Sequence, residues 1–416
     1  MRSALIVDAY SSGNLLCQEL KKRNFRVLHL QSTKEIPHGY KASFKPETFD
    51  ARYVLNANEP IKVLLRHLHD ENIHLVIAGA ESGVLLSDLI SSRLNLKTNG
   101  TILSKARRNK FEMLERVKSL EIKTPLQALH TEVEIGKNWA EKHCDFPIVL
   151  KPVESAGTDS VFICNSYVEI ETAFNLIMGK VNLLGTKNEN VLFQEFLKGT
   201  EHAINTISQN GSFFTSSVWQ YRKTLIPGTE VIFYDRDILI TPDSVPFKVL
   251  DQFSKKVLSA SGISFGPAHI EVMLTESGPV LIELGARISG VTMPELDEIT
   301  ILHGQIELTI DAYTDENAFD TKIKKPRQLL KHTELITTFS FREGIVKDCK
   351  GLDQIRFLDS YFSERIKFRA GDFITPTRNI FSSPGFIILI HDDPEQIFRD
   401  YCEIRRIEKE GLFTIA

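Results

Sequence analysis

Two glutamates, Glu271 and Glu283, lie in the segment GPAHIEVMLTESGPVLIELGARISG, residues 266–290, with Arg287 just after the second. Alternating apolar runs, His269–Leu274 and Pro279–Leu284, flank Thr-Glu-Ser-Gly at 275–278, which is the pattern of a β-hairpin. A hairpin brings the two carboxylates to one place, and two carboxylates do not share a low-dielectric site without a cation. Mg2+ suits such a pair because it takes few carboxylates plus phosphate oxygens and water; Mn2+ uses the same oxygen donors. Arg287 could hold an anion beside that metal. Glutamates on the solvent side of a hairpin are ordinary. Here, however, VLIELG sets Glu283 in an apolar run that reads as a buried strand, where an unpaired charge is costly.

Further polar residues could complete a nucleotide site. Lys151 ends the apolar stretch CDFPIVLKP, immediately before ESAGTDS, residues 154–160. A lysine there can meet a phosphate, and Ser155, Gly157, Thr158 and Ser160 offer small side chains and open amides for phosphate oxygens. The plainer alternative is a surface turn with a snorkelling lysine. Lys110 sits in KARRNK, a charge run that also reads as a solvated face. Gln194, Glu195, Phe196 and Leu197 form an extended stretch able to hydrogen-bond an adenine edge. Glu201, after the turn at Lys198–Gly199, could accept from ribose hydroxyls. Glu81, in a loop after a strand, could hold an ammonium group. Alternation sends Trp219, Tyr221 and Lys223 to one face of a strand, and His269 to the face of Glu271. These are candidate substrate contacts; a core role is the alternative for the aromatics and for His269. None of the five cysteines sits where a nucleophile would.

The elements that must position these residues follow from the patterning. SALIVDAY, FRVLHLQ and IHLVIAG are apolar strands separated by helices at Ser12–Lys22 and Glu59–Glu71, which implies a parallel sheet with helices on its faces. No G-x-G-x-x-G fingerprint is present. Ser104–Leu120 has helical, basic character. CDFPIVLKP, VFIC, VLFQEFLKGTEHAINTIS and SSVWQYRKT read as strands, with a helix near Glu169–Met178. Pro246–Ser261 is a helix with its proline in the first turn, and a further helix lies near Ile301–Thr314. Beyond about residue 320, ELITTFSF, DSYFSERIKFRAGDFI and GFIILIHD alternate as strands of a small, mostly β module, with a turn at Asn379–Gly385. The resulting division is 1–104, 105–320 in two lobes (about 105–190 and 191–320), and 321–416.

With 416 residues, 42% hydrophobic and 25% charged, the composition is that of a globular protein of two to three domains. A net charge of −4 gives no electrostatic case for nucleic acid or an anionic membrane. Five scattered cysteines fit reduced thiols in a cytoplasmic protein. The N-terminal apolar run is too short for a signal peptide, and no stretch approaches a membrane span.

Taken in order along the chain, Lys110, Lys151 with its loop, Gln194–Leu197, Glu201, Glu271, Glu283 and Arg287 resemble the ATP-grasp superfamily. The resemblance implies a mixed α/β and α+β architecture. An ATP-grasp fold would follow an N-terminal Rossmann-like pre-grasp domain and precede a small β-rich C-terminal module. It implies that Lys110 and Lys151 contact ATP phosphates, with Ser155, Ala156, Gly157 and Thr158 covering them. Gln194, Glu195, Phe196 and Leu197 would form the adenine hinge and Glu201 would bind ribose. Glu271 and Glu283 would hold Mg2+, and Arg287 would steady an acyl phosphate. KPVESAGTDSV, GPAHIEVM, VLIELGARISG and AGAESGVLLSDLISSRLNLKTN are similar to segments of the dipeptide-forming L-amino-acid ligases and carnosine synthase. The loop differs from the multi-glycine loop of biotin carboxylase. Gly285 stands where many relatives have an asparagine that helps bind a second Mg2+. The implied activity is ADP-forming joining of a small-molecule carboxylate to an amine, with amino-acid substrates and, as in many members, a homodimer. The alternatives are a ligase for a non-amino-acid carboxylate and a nucleotide-binding regulatory protein without turnover.

Overall fold

The computed structural model describes all residues except 1, 57–59, 156, 158, 227–231, 291–292 and 379–381. The strands Ser3–Val7, Arg26–Gln31, Ala51–Val54 and Ile73–Ala78 form one parallel sheet, with the first strand between the second and the fourth. Ser3–Val7 is buried along its whole length, as its unbroken apolar run requires. The helix Gly13–Lys22 starts close under the end of the fourth strand. A Cβ on Gly13 would stand 2.4 Å from the Gly79 carbonyl oxygen, so only glycine permits that approach.

A second, antiparallel sheet orders Gln127–His130, Val191–Glu195, Ile148–Pro152 and Phe162–Cys164. Helices Val133–His143 and Tyr167–Ile177 supply the core beneath it. Its register pairs Val149 with Gln194 and Lys151 with Leu192. Alternation therefore puts Lys151 and Gln194 on one face.

The third sheet has eight strands. Gly278–Gly285, Gly266–Thr275, Thr200–Gln209, Ser212–Leu225 and Ile232–Leu239 come first, followed by His332–Thr338, Gly385–His391 and Tyr361–Ile366. One face carries Ile204, Val218, Ile270, Val272, Leu281 and Leu284 against helices Val245–Ala260 and Lys110–Lys118. The sheet runs on across residue 320, because His332–Thr338 pairs with Ile232–Leu239. The C-terminal module adds short strands at Gly344–Asp348, Phe373–Ile374 and Thr414–Ile415. It also contains a long helix, Pro394–Gly411, whose Ile397, Ile404 and Ile407 face its core. Together these elements make an N-terminal α/β domain, two sheets that face each other across a cavity, and a β-rich C-terminal module.

Two differences from the sequence reading matter for the site. The basic stretch expected to be helical from Ser104 begins its helix only at Lys110. Asn109 caps it, accepting the Glu112 amide at 3.1 Å. The turns before it bury the charge: Arg107 is fully buried and donates to Asp88 at 2.9 Å and to the carbonyls of Asn99 and Ser261. The KARRNK run is thus in large part interior rather than solvated. Part of the turn expected at Asn379–Gly385 lies outside the described residues.

Candidate active site

The expected hairpin forms; its turn alone would set Ile282 opposite Glu271, and a register irregularity just after Glu271 brings Glu283 directly opposite it instead. Its apolar partners point to the helices, so both carboxylates turn to the opposite face. There they border a cavity of about 320 Å3 between the second and third sheets. Three basic side chains surround the pair. Lys110, at the start of its helix, places Nζ 2.9 Å from Glu283 Oε1 and donates to the Ser155 carbonyl at 2.6 Å. His269 Nε2 lies 3.5 Å from Glu271 Oε1, and its Nδ1 lies 2.8 Å from Asn205 Oδ1. Arg287 lines the same wall. Burial alone would raise the Glu271 carboxyl, but the His269 hydrogen bond and the charges of His269, Lys110 and Arg287 outweigh it and hold it low.

Lys151 reaches the cavity from the second sheet. It is buried, and burial followed by the Lys110 charge pulls its ammonium down to about 8, against the raising pull of Glu283, Glu271 and Glu201. Ser155 and Gly157 line the cavity beside it, while Ala156 and Thr158 lie outside the described residues. On the neighbouring strand of the second sheet and just past its end, Gln194, Glu195, Phe196 and Leu197 pass along the cavity. Glu201 faces them but is not free: Lys223 donates to it at 2.5 Å and the Tyr234 hydroxyl at 3.3 Å.

Two candidate substrate contacts lie elsewhere. Trp219 is on the expected face, but it is fully buried in a cluster with Met293, Leu296 and Ile301 and does not border the cavity. Glu81, expected to meet an incoming ammonium group, is buried and already paired. Arg287 Nε donates to it at 3.2 Å, and Arg108 lies 3.8 Å away. Its neighbour explains the missing asparagine as well. A Cβ on Gly285 would stand 2.8 Å from Glu81 Oε2, so glycine there leaves room for the Glu81–Arg287 pair. Tyr221 and Lys223 do line the cavity. The sequence reading missed Arg108, hidden in its basic run, and Asp237, which alternation along Ile232–Leu239 could have placed.

Among the described residues no group of three or more His, Cys, Asp or Glu side chains is placed to hold a metal ion. The Glu271–Glu283 pair nevertheless fits Mg2+, which needs only one or two protein carboxylates when phosphates and water complete its shell. The Lys110 ammonium against Glu283 marks a position where positive charge is held. Among the described residues no helix is long and apolar enough to cross a membrane.

A family model for the ATP-grasp domain matches residues 144–295. Dapdiamide A synthase from Enterobacter agglomerans is 32% identical over 423 residues, covering 98% of this chain and 96% of its own. The L-arginine-specific L-amino acid ligase of Bacillus subtilis is 22% identical, over 72% of this chain and 70% of its own. The crystal structure of the L-amino acid ligase from Bacillus licheniformis superposes with a TM-score of 0.75 at 18% identity, covering 98% of this chain and 97% of that one.

Proposed function

The chain belongs to the ATP-grasp superfamily and is homologous to the L-amino-acid ligases; from that premise we propose that it joins an amino-acid carboxylate to an amine, forming ADP and phosphate. The observation that carries the reading is the in-register pair Glu271 and Glu283, flanked by Lys110, Lys151 and Arg287 in one cavity. Two carboxylates and three cations around an enclosed space suit a transferring phosphoryl group better than a neutral ligand. The division into residues 1–104, 105–320 and 321–416 is kept as part of the proposal. The finer likeness to carnosine synthase rests on the quoted segments alone.

In this reading a substrate carboxylate oxygen attacks the γ-phosphorus of ATP and ADP leaves. The amine nitrogen then attacks the acyl carbon of the resulting acyl phosphate, and phosphate leaves as the amide forms. Glu271 and Glu283 would hold Mg2+, which when bound would neutralise charge at the phosphate oxygens. Lys110 and Lys151 hold the phosphates by charge. Gln194 to Leu197 orient the adenine and Glu201 the ribose. Arg287, fixed by Glu81, offsets charge on the acyl phosphate. Positioning carries most of such a reaction, and no side-chain nucleophile takes part.

Hydroxylamine trapping tests this. With ATP, Mg2+ and pooled amino acids, hydroxylamine should intercept the acyl phosphate as a hydroxamate, in step with ADP. Glu283→Gln should form none while still binding nucleotide. Release of AMP and pyrophosphate instead would rule the route out.

A further inference from the structure

Beyond Glu201 on the cavity wall, two buried polar atoms have no hydrogen-bond partner among the described residues. Asp237 and Tyr221 are cross-strand neighbours in register, 5% and 6% exposed, and both line the cavity. Among the described residues, neither the Tyr221 hydroxyl nor Asp237 Oδ1 has a hydrogen-bond partner. Leaving such atoms unpaired inside a protein costs about 1–3 kcal/mol each, so an unpaired pair facing a cavity suits a ligand. The charge balance gives the sign of that ligand. Burial first, then Glu201 and Asp235, push the Asp237 carboxyl up to about 8, against the pull of Lys223. That lysine is already bonded to Glu201. Among the described residues, the cation that acts on Asp237, Lys223, is thus shared with Glu201.

The pair borders the reacting centre: Asp237 lies on the strand Ile232–Leu239, and Tyr221, on the neighbouring strand toward the hairpin, feels the charges of Glu271 and Arg287. Phe233, Phe386 and Thr337 close the cavity around it.

We propose that Asp237 and Tyr221 form a subsite for a non-reacting ammonium group of one substrate, an amino acid that enters by its carboxylate. A carboxylate contact stabilises the protonated amine, whereas the amine that attacks an acyl phosphate must be neutral. The nitrogen bound by Asp237 is therefore not the nucleophile. This assignment rests on the ligase reading above for the identity of the reacting groups. It makes Asp237 a specificity-determining residue.

Binding tests the subsite separately from turnover. Each of the twenty L-amino acids and its N-acetyl form would be titrated calorimetrically into the enzyme with Mg2+ and β,γ-imido-ATP. At least one free amino acid should bind about tenfold or more tightly than its N-acetyl form, as expected for a hydrogen-bonded charge. Asp237→Asn should remove that preference while keeping β,γ-imido-ATP affinity within about twofold. Tyr221→Phe should weaken it by a smaller factor, and it serves where Asp237→Asn fails to fold. A preference intact in both variants, a loss matched by equal loss of nucleotide affinity, or no preference in the wild type would each overturn the subsite. An Asp237→Asn enzyme ligating with unchanged KM would sink the subsite and leave the ligase. A lost preference in a protein that forms no amide would do the reverse.

Discussion

Replacing Glu81 by glutamine should cripple turnover without loosening the nucleotide. Glu81 is buried, and the only cations near it among the described residues are Arg287 at 3.2 Å and Arg108 at 3.8 Å. Removing one partner of a buried ion pair typically costs about 3–5 kcal/mol, because the other charge is left uncompensated. Glutamine keeps an acceptor for the Arg287 Nε–H, which restores about 1 kcal/mol. The Arg287 side chain is also 19% exposed toward the cavity, so water offsets a further part. About 2–3 kcal/mol remains as lost positioning of the guanidinium, which converts to about 30- to 150-fold in kcat. Lys110, Lys151 and Gln194 do not touch Glu81, so nucleotide affinity should stay within about twofold. The assay is phosphate release at saturating substrates, with nucleotide binding measured in parallel. A kcat within about threefold of wild type would refute the claim that Glu81 holds Arg287. Equal losses in kcat and nucleotide affinity would show general damage instead. Gly285→Ala approaches the same pair from the other side, with a Cβ 2.8 Å from Glu81 Oε2, and should shift kcat in the same direction.

Nucleotide affinity should fall as pH rises past the Lys151 value of about 8. Phosphates favour the charged ammonium, so the free enzyme must take up a proton to bind above that pH, and Kd should rise about fivefold between pH 8 and 9. Lys151→Arg, which stays charged, should flatten that step in a fluorescent-nucleotide titration. Trp219→Phe should leave the KM of every substrate within about twofold and cost less than about 1.5 kcal/mol, since the indole is enclosed by Met293, Leu296 and Ile301 rather than by ligand; a selective KM change would return it to the site. Chelation with EDTA should stop phosphate release and Mg2+ should restore it, while Glu283→Gln should not be restored by any Mg2+ concentration.

Short-range patterns carried much of this site. Period-two alternation is enough to set His269 on the face of Glu271, but the turn alone would pair Glu271 with Ile282; the irregularity after Glu271 that brings Glu283 opposite it leaves no local signal. The order of Lys110, Lys151 and Gln194–Leu197 along the chain was likewise readable before any packing was known. What alternation cannot supply is the identity of whatever covers a face. Trp219 and Tyr221 share one face, yet only Tyr221 meets the cavity, while Trp219 is fully buried in a cluster with residues distant in sequence. The KARRNK run looked solvated because the groups that bury Arg107, at Asp88 and Ser261, are distant in sequence. Glu81 looked free for the same reason. The helix Pro394–Gly411 is a different case: Ile397, Ile404 and Ile407 recur at helical spacing after a proline start, so the signal was local and readable.

The measurement that bears most directly on the ligase reading is phosphate release with ATP and Mg2+ against pairwise pools of amino acids, followed by mass spectrometry. The account predicts phosphate and ADP only when two particular pools are present together, with a new mass equal to the two substrates less one water. Nucleotide binding without any such product in any pair of pools would contradict it.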